Sequence, residues 1–531
     1  MAAKQTMGLA RSVALMSIAA ALSRVLGFLR NTAISALFGQ NQLTDMLNTA
    51  FVIPDTIYLI LVGGGVSSAF IPVLAGYLAQ EDEDAVWRTV SIAFNLVLIL
   101  VGAAVIFTML LAPLLVRLIA PGFEASQVAY TAQLTRIVLL AILFHCLNGI
   151  LIGTEYAYQS FIGTAIGPLV YNAAIIVFGL ALAGRYGIAA FALSTLIGAF
   201  LNFLVQIWGV WRLRPRYQPV LDLHHPGIRR VLKLMLPVTI GLSIAQLNLF
   251  FNQTFMASFL PRGSINALTI ASRVVLVPIL FASSMGITLL PALSRIAMAR
   301  DYNTFTRYLS SSLRAVVFIS IPATVALVTL GQPVVRILFQ HGRFTSADTM
   351  ATTAALVFYS LGITAYGAYE ILSRAFYATQ DTVTPLQIGL VTLAAGTALN
   401  FTLGPAFGIR GLALAYSLAG FVNVTLLLYY LRRKLPASLE GRRLLQTTLK
   451  SLLAALLMGL VLYLAASQPL LPAAWPRLLR EGLQLTLLIT LGILTYGGLT
   501  WLLRMEEPAL FFSLLRRRLH RSRPAAGPKE V

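Results

Sequence analysis

Two arginines six residues apart, Arg24 and Arg30 in the stretch SRVLGFLR, lie inside a run of Ala, Leu, Ile, Val, Ser and Met that extends from about residue 12 to residue 38. At 1.5 Å per residue such a run crosses a hydrocarbon core of roughly 30 Å. An arginine near mid-depth costs about 2.5–3.5 kcal/mol on insertion scales, so it must meet water or an anionic partner. Six residues of helix separate the pair by roughly 9 Å along the axis and about 120° around it, so the two can line adjacent walls of one cavity. Guanidinium groups present fixed forks of donors, which suit an anion rich in oxygen acceptors such as a diphosphate or a set of carboxylates. The competing role is structural, with each arginine bonded to carbonyls of neighbouring helices.

Other intramembrane charges follow. Arg273, in LTIASRVVLVP, opens the second half of the chain, and Asp45, near the outer end of the second apolar window, is the main acidic residue that the sequence sets against the three cations. Arg374 has Glu370 one turn earlier, an i,i+4 pair that neutralises both. Arg136 and Arg314 have no partner assignable from sequence and read as structural. Catalysis finds little support. Of the five histidines only His224 and His225 are adjacent, with no metal-ligand spacing around them, and no nucleophile motif, phosphate-cradling glycine loop or acidic metal constellation occurs. Cys146, inside an apolar run, is the single cysteine, so neither an internal disulfide nor a thiolate metal site is expected. The chain reads as neither an enzyme nor a cofactor protein, and its counter-ion is not legible.

The elements that must hold these residues are membrane helices. The 531 residues are 58% hydrophobic and 11% charged, which places the chain in the all-α polytopic membrane class. The net charge of +21 sits between apolar runs and in the tail, as topology signals do; no nucleic-acid partner is expected. With no cleavage site after a short apolar core, the first helix is expected to stay as an anchor. About fourteen spans are expected, the second over 45–78 with break points at Pro54 and Gly63 to Gly65. With the N-terminus inside, about 25 of the 39 Lys and Arg residues fall in cytoplasmic segments, which predicts both termini in the cytoplasm.

A repeat divides the chain. GIAAFALSTLIGAFLN from Gly187 and GIRGLALAYSLAGFVN from Gly408 align at a shift of 221 residues, as do Tyr156 to Gln159 with Tyr377 to Gln380, and with a two-residue gap Pro72 meets Pro291. An even number of spans per copy predicts two six-helix lobes related by a pseudo-two-fold axis along the membrane normal, with a site between them. The expected divisions are a first lobe over 1–215, a cytoplasmic linker over 216–230, a second lobe over 231–434, two further helices over 435–504 and a basic cytoplasmic tail over 505–531.

SRVLGFLR, the following FG turn, Thr44-Asp45 and SSAFIPVLAGY resemble the start of the MurJ (MviN) family, lipid II flippases within the MOP superfamily. The resemblance is strongest from Phe339 to Gly389, through the HGRF turn, the YSLG stretch and SRAFYATQDTVTP. It implies two lobes working by alternating access, a cationic cavity for a diphosphate-sugar head, and a groove for the polyprenyl tail along the last two helices. The family's first-helix arginines fall on Arg24 and Arg30, its helix 2 aspartate on Asp45 and its helix 8 arginine on Arg273. Four charged family positions hold Asn31, Tyr58, Gly63 and Ser272 instead, which alters the secondary cavity and gate positions. Relatives with a sodium site use acidic or amide side chains for which Asn252 and Asn400 are the nearest counterparts; lacking a carboxylate, they predict no metal.

The expected function is therefore translocation of lipid II to the outer leaflet of the bacterial cytoplasmic membrane, with the head group on Arg24, Arg30 and Arg273. The expected partners are that lipid, membrane lipids and cell-wall synthesis machinery. A flippase for another polyprenyl-diphosphate oligosaccharide and a transport-inactive envelope scaffold are the alternatives. A glycosyltransferase would need a carboxylate and metal arrangement, and a multidrug cation exporter would need a cavity of the opposite sign.

Overall fold

The computed structural model describes residues 2–61, 70–222, 224–231, 233, 246–247, 250–437, 439–468, 471–472 and 475–508. Among them all regular structure is helical. In chain order the helices are α1 (Ala2–Phe38), α2 (Gln42–Leu61), α3 (Ile71–Leu78), α4 (Glu83–Ile119), α5 (Ala125–Ala157), α6 (Ile162–Tyr186) and α7 (Ala189–Trp211). A π-helical turn at Phe251–Phe255 runs into a 3-10 turn at Met256–Phe259. Then follow α8 (Ser264–Met298), α9 (Tyr302–Phe339), α10 (Ser346–Ser360), α11 (Ile363–Ala378), α12 (Val383–Lys434), α13 (Gly441–Ala466) and α14 (Arg477–Leu502).

Short polar sequences start the long helices. Asp82 caps α4 by accepting the Ala85 amide at 2.9 Å, with Glu83 and Asp84 in its first turn and Arg117 in its last, complementing the helix dipole. The acidic run Glu81 to Asp84 thus has a local structural use. Glu124 and Gln127 form a capping box on α5. Asp381 takes the Thr384 amide at 3.0 Å and its hydroxyl at 2.8 Å at the start of α12.

Two compact units form. One comprises Met1–Ala267 with Phe339–Asp348, the other Leu268–Leu338 with Thr349–Val531. The first unit continues past the 216–230 linker as far as Ala267. Its core joins α3, α4 and α5 through Leu74, Trp87, Ile92, Leu139 and Cys146, and joins α2, α5, α6 and α7 through Leu47, Leu134, Ile175 and Phe191. In the second unit, Leu293, Phe305, Leu309, Phe376 and Leu431 bring α8, α9, α11 and α12 together. Val317 and Leu330 of α9 meet Ala455 and Met458 of α13 and Leu488 of α14 in a second cluster. Because lipid tails are as apolar as these side chains, tight packing and buried polar bonds hold such bundles rather than hydrophobic burial alone.

The repeat is written in the backbone. Gly187 ends α6 at φ 57°, ψ −138°, and Gly408 kinks α12 at φ 57°, ψ −133°. Only glycine takes that conformation cheaply. At the same shift Gln159 and Gln380 have φ of 55° and 59°, while Glu81 and Arg300, offset by the two-residue gap, have 58° and 56°.

Nine helices are long and apolar enough to cross a membrane among the described residues, or ten when α10 and α11, bent by 43°, count as one further span. α1 and α2 are not among the nine, and the rest of the difference from the expected fourteen has identifiable places. α12 holds two expected spans across Gly408, and the Gly63 to Gly65 break in the second window lies outside the described residues, as does most of 232–249. Pro54 does not end α2, which continues to Leu61. The tail beyond residue 508 also lies outside.

Candidate functional site

Arg30 is held by α6. Its Nη1 donates to Asn172 Oδ1 at 3.4 Å, and it donates to the Tyr171 hydroxyl. Asn172, buried, is fixed in turn: its Nδ2 donates to Pro168 O at 3.0 Å, Ser23 Oγ at 3.2 Å and Ser23 O at 3.4 Å. Asn172 thereby ties α1 to α6 while turning its carbonyl oxygen toward the guanidinium. Tyr171 lies within electrostatic reach of Asp55 and Tyr58, and its ring meets His145 of α5 edge-on at 5.0 Å. Tyr58, 38% exposed, meets the same imidazole at 6.0 Å. Four helices, α1, α2, α5 and α6, therefore gather Arg30, Asp55, Tyr58, His145 and Tyr171.

Arg24, on the same helix, is exposed, and its side chain makes no hydrogen bond or ion pair among the described residues. Asn31 beside Arg30 is half-buried. Among the described residues the first unit therefore carries a cation without a protein counter-charge on the same helix as one held mainly by neutral groups. That is the electrostatic condition for taking up an anion.

Asp45 stands elsewhere. It is buried at 5% exposure, its Oδ2 accepts the Gly263 amide at 2.6 Å and its Oδ1 accepts the Asn266 amide at 2.8 Å. Set against the arginines by the sequence, its carboxylate is occupied in capping the first turn of α8, where the helix dipole favours a negative charge. Asn48 reinforces the contact by donating to Asn266 Oδ1 at 2.9 Å. Asp55 is the acid that reaches the Arg30 neighbourhood, and sequence reasoning missed it. The available signal was an aspartate directly after Pro54 within FVIPDTIYLI.

Arg273 belongs to the second unit, half-buried in α8, with Ser272 Oγ donating to Thr269 O at 2.9 Å beside it. Arg24 and Arg30 share one helix of the first unit. Asn252 lies buried in the π-helical turn of the first unit and Asn400 buried in α12 of the second. The remaining intramembrane arginines have local partners. Arg136 Nε donates to Met109 O at 3.0 Å, Arg374 pairs with Glu370 at 3.7 Å, and Arg314 pairs with Glu507 at 3.3 Å and Glu506 at 3.5 Å.

The family model for the lipid II flippase MurJ matches residues 34–471. The chain belongs to that family. A lipid II flippase MurJ of Burkholderia cenocepacia is 30% identical over 81% of this chain and 84% of its own. A probable lipid II flippase MurJ of Rhizobium tropici is 27% identical over 95% of each. Among solved structures, a lipid II flippase MurJ in an inward closed conformation superposes with a TM-score of 0.76 at 28% identity, over 92% of this chain and 98% of that one. An inward-facing multidrug resistance MATE transporter of the MOP superfamily gives 0.67 at 15% identity over 78% and 94%, a likeness of fold. The protein is thus a multi-pass membrane member of a MurJ transporter family. The family match begins four residues beyond Arg30, so membership does not rest on the α1 arginines. Their placement is an independent observation.

Proposed function

We propose that the protein is a lipid II flippase, moving the lipid-linked peptidoglycan precursor from the cytoplasmic to the outer leaflet of the bacterial inner membrane by alternating access. The observation that carries this reading is the pair Arg24 and Arg30 on the long apolar helix α1, one without a partner among the described residues and the other on neutral amide and phenol oxygens. Within a membrane an arginine without a protein counter-charge is accommodated where it faces a water-filled cavity, the setting for an anionic ligand. In this reading Arg24, Arg30 and Arg273 bind the diphosphate of the head. Asp45 fixes the start of α8. The polyprenyl tail stays in lipid along α13 and α14, both termini are cytoplasmic, and no metal or cofactor takes part in binding. The chain works beside the cell-wall synthesis machinery that consumes the flipped lipid.

The test is complementation. A bacterial strain depleted of its own lipid II flippase should grow when this chain is expressed, and Arg24→Gln or Arg30→Gln should abolish growth at equal membrane levels. Failure of the wild-type chain despite good expression rejects lipid II as substrate. Growth supported equally by the glutamine variants rejects the arginines as the head-group site.

A further inference from the structure

Arg212 and Arg433 hold the same place in the two copies of the repeat, and each lies over an aromatic ring one turn earlier on its own helix. The Arg212 guanidinium is 3.9 Å from the Trp208 ring centre, and the Arg433 guanidinium is 4.6 Å from that of Tyr429. In the first unit the ring is also the wall of a groove. Ile166 and Val170 of α6, with Leu201, Leu204, Val205 and Trp208 of α7, line an apolar hollow of about 400 Å³ that follows roughly 10 Å of α7. The second copy does not repeat this lining, since Gln387 and Thr425, both exposed, stand where the first has Ile166 and Leu204. The groove lies at the end of α7 from which the 216–230 linker leaves, where Trp211 and Tyr217 are exposed as aromatic side chains are at a membrane interface.

Apolarity alone says nothing on a surface that faces lipid; a hollow with a cation fixed at one end does. Trp208 occupies one face of the guanidinium and leaves its N–H edges open to an acceptor. Arg212 is exposed and forms no ion pair among the described residues, nor does Arg214 two residues on, whereas Arg216 is taken by Asp84 at 2.6 Å. Glu155, buried against Gly209 of the same stretch of α7, accepts the Gly163 amide at 3.1 Å, the Thr164 amide at 2.8 Å and the Thr164 hydroxyl at 2.7 Å. Its charge is thus used at the start of α6. The occupant must therefore join a hydrocarbon chain to an anionic group at headgroup depth. A partner's membrane helix, roughly 10–12 Å across, would need a face that continues through the roughly 30 Å of hydrocarbon. A zwitterionic lipid would bring its own cation against Arg212 and Arg214. We infer that the α6–α7 groove binds an anionic phospholipid of the phosphatidylglycerol type, with one acyl chain between Ile166, Val170, Leu204 and Val205 and the phosphate on Arg212. The site lies wholly within the first unit and takes a lipid other than the one transported, so it stands apart from the flippase reading.

The test places the full-length protein in phosphatidylcholine vesicles that carry a trace of one of two probes, phosphatidylglycerol or phosphatidylcholine, each with a photoreactive group in the acyl chain, and maps the labelled residues by peptide mass spectrometry. The phosphatidylglycerol probe should label Ile166, Val170, Leu204 and Val205 about fivefold more than the phosphatidylcholine probe, the preference that one arginine at a membrane surface confers. Arg212→Gln should bring the two probes level at the groove, and Arg212→Lys, which keeps the charge, should retain most of the preference. Val205→Phe, which fills the hollow, should lower labelling by the phosphatidylglycerol probe; should it fail to fold, Arg212→Gln at an exposed position makes the decision. Equal labelling by the two probes in the wild type overturns the site, as does a phosphatidylglycerol preference no greater here than at the exposed Leu494 and Trp501 of α14. Excess unlabelled lipid II that clears the groove where excess unlabelled phosphatidylglycerol does not makes it a seat for the transported lipid's tail and overturns it too, while the reverse pattern supports it.

Discussion

Arg30 of α1 and Arg314 of α9 are both arginines on long apolar helices, yet their surroundings are opposite. Arg314 is 7% exposed and sits on the carboxylates of Glu507 and Glu506, with Thr447 donating to Glu507 Oε1 at 2.7 Å. Arg30 is half-buried on Asn172 and Tyr171, with Asp55 nearby and, along the same helix, Arg24, unpaired among the described residues. The first arrangement spends the positive charge on the fold and the second leaves it to act on something else. An intramembrane arginine therefore becomes informative about function only when its counter-charge is known.

The use made of the spent charge is also clear. Arg314 and Arg336 lie 22 residues apart on α9, roughly 33 Å of helix, the thickness of a hydrocarbon core. One reaches Glu507 just beyond α14. The other reaches Glu481 in the first turns of α14 at 2.7 Å, a carboxylate shared with Arg477 at 3.0 Å. Between them Tyr496 donates to Phe318 O at 2.8 Å. α14 is thus fastened to α9 near both ends, with the Tyr496 bond between them.

The comparison breaks most visibly at Arg30. Arg30→Gln should reduce lipid II translocation in reconstituted vesicles by at least about tenfold, because a charge-assisted contact to diphosphate is lost, while its melting temperature stays near that of the wild type. Arg30→Lys should fall between, keeping the charge without the fork. A large loss of stability in Arg30→Gln would make Arg30 a second Arg314.

Arg314→Gln should do the reverse. It strands Glu507 in a buried site, which costs about 3–5 kcal/mol, read as a lowered midpoint in thermal unfolding of the detergent-solubilised protein. Arg314→Met with Glu507→Leu removes both charges and should recover most of that loss. If the double variant is as unstable as the single one, the ion pair is not what holds α14 to α9.

How much of this could be read from sequence follows from the range of each interaction. The helical membrane class and the repeat were legible because hydropathy and glycine punctuation act over tens of residues. The Glu370–Arg374 pair was legible because it lies within one helical turn. Arg314 and Glu507 are 193 residues apart, and nothing in the local pattern of either names the other. The choice between Asp45 and Asp55 was illegible for a similar reason. Periodicity places both on α2, but only the fold shows that the amides of Gly263 and Asn266 claim one and leave the other near Arg30. Nor does sequence warn of left-handed backbone at Gln159 and Gln380, where no glycine marks the turn.

Asp45→Ala should cost about 0.5–2 kcal/mol, the range for losing a helix cap, and Asp45→Asn less, since one acceptor remains. If Asp45 acts instead as a counter-charge to substrate or to the arginines, both variants would change lipid II affinity with no shift in thermal midpoint.

The smallest effect belongs to a pair that resembles Arg314–Glu507 in chemistry but lies in solvent. Lys434 Nζ meets Asp381 Oδ2 at 2.7 Å outside the membrane-spanning segments, with 37% of the lysine side chain exposed. Partial burial tends to raise the Asp381 carboxyl, but the bonds from Lys434 and Thr384 outweigh it and hold the group below the usual aspartate range. The sign follows from linkage: a carboxylate depressed in the folded state stabilises fully above its unfolded value near 3.9, and that contribution is lost as the pH falls through the folded value. Lys434→Gln should therefore cost at most about 1 kcal/mol at pH 7, a difference that shrinks as the medium is acidified below about pH 4 and that added salt reduces further. Arg314→Gln, shielded from solvent, should keep its full penalty at the same salt concentrations. Were the two variants equally salt-sensitive, burial would not be what separates a charge spent on the fold from one left to the surface.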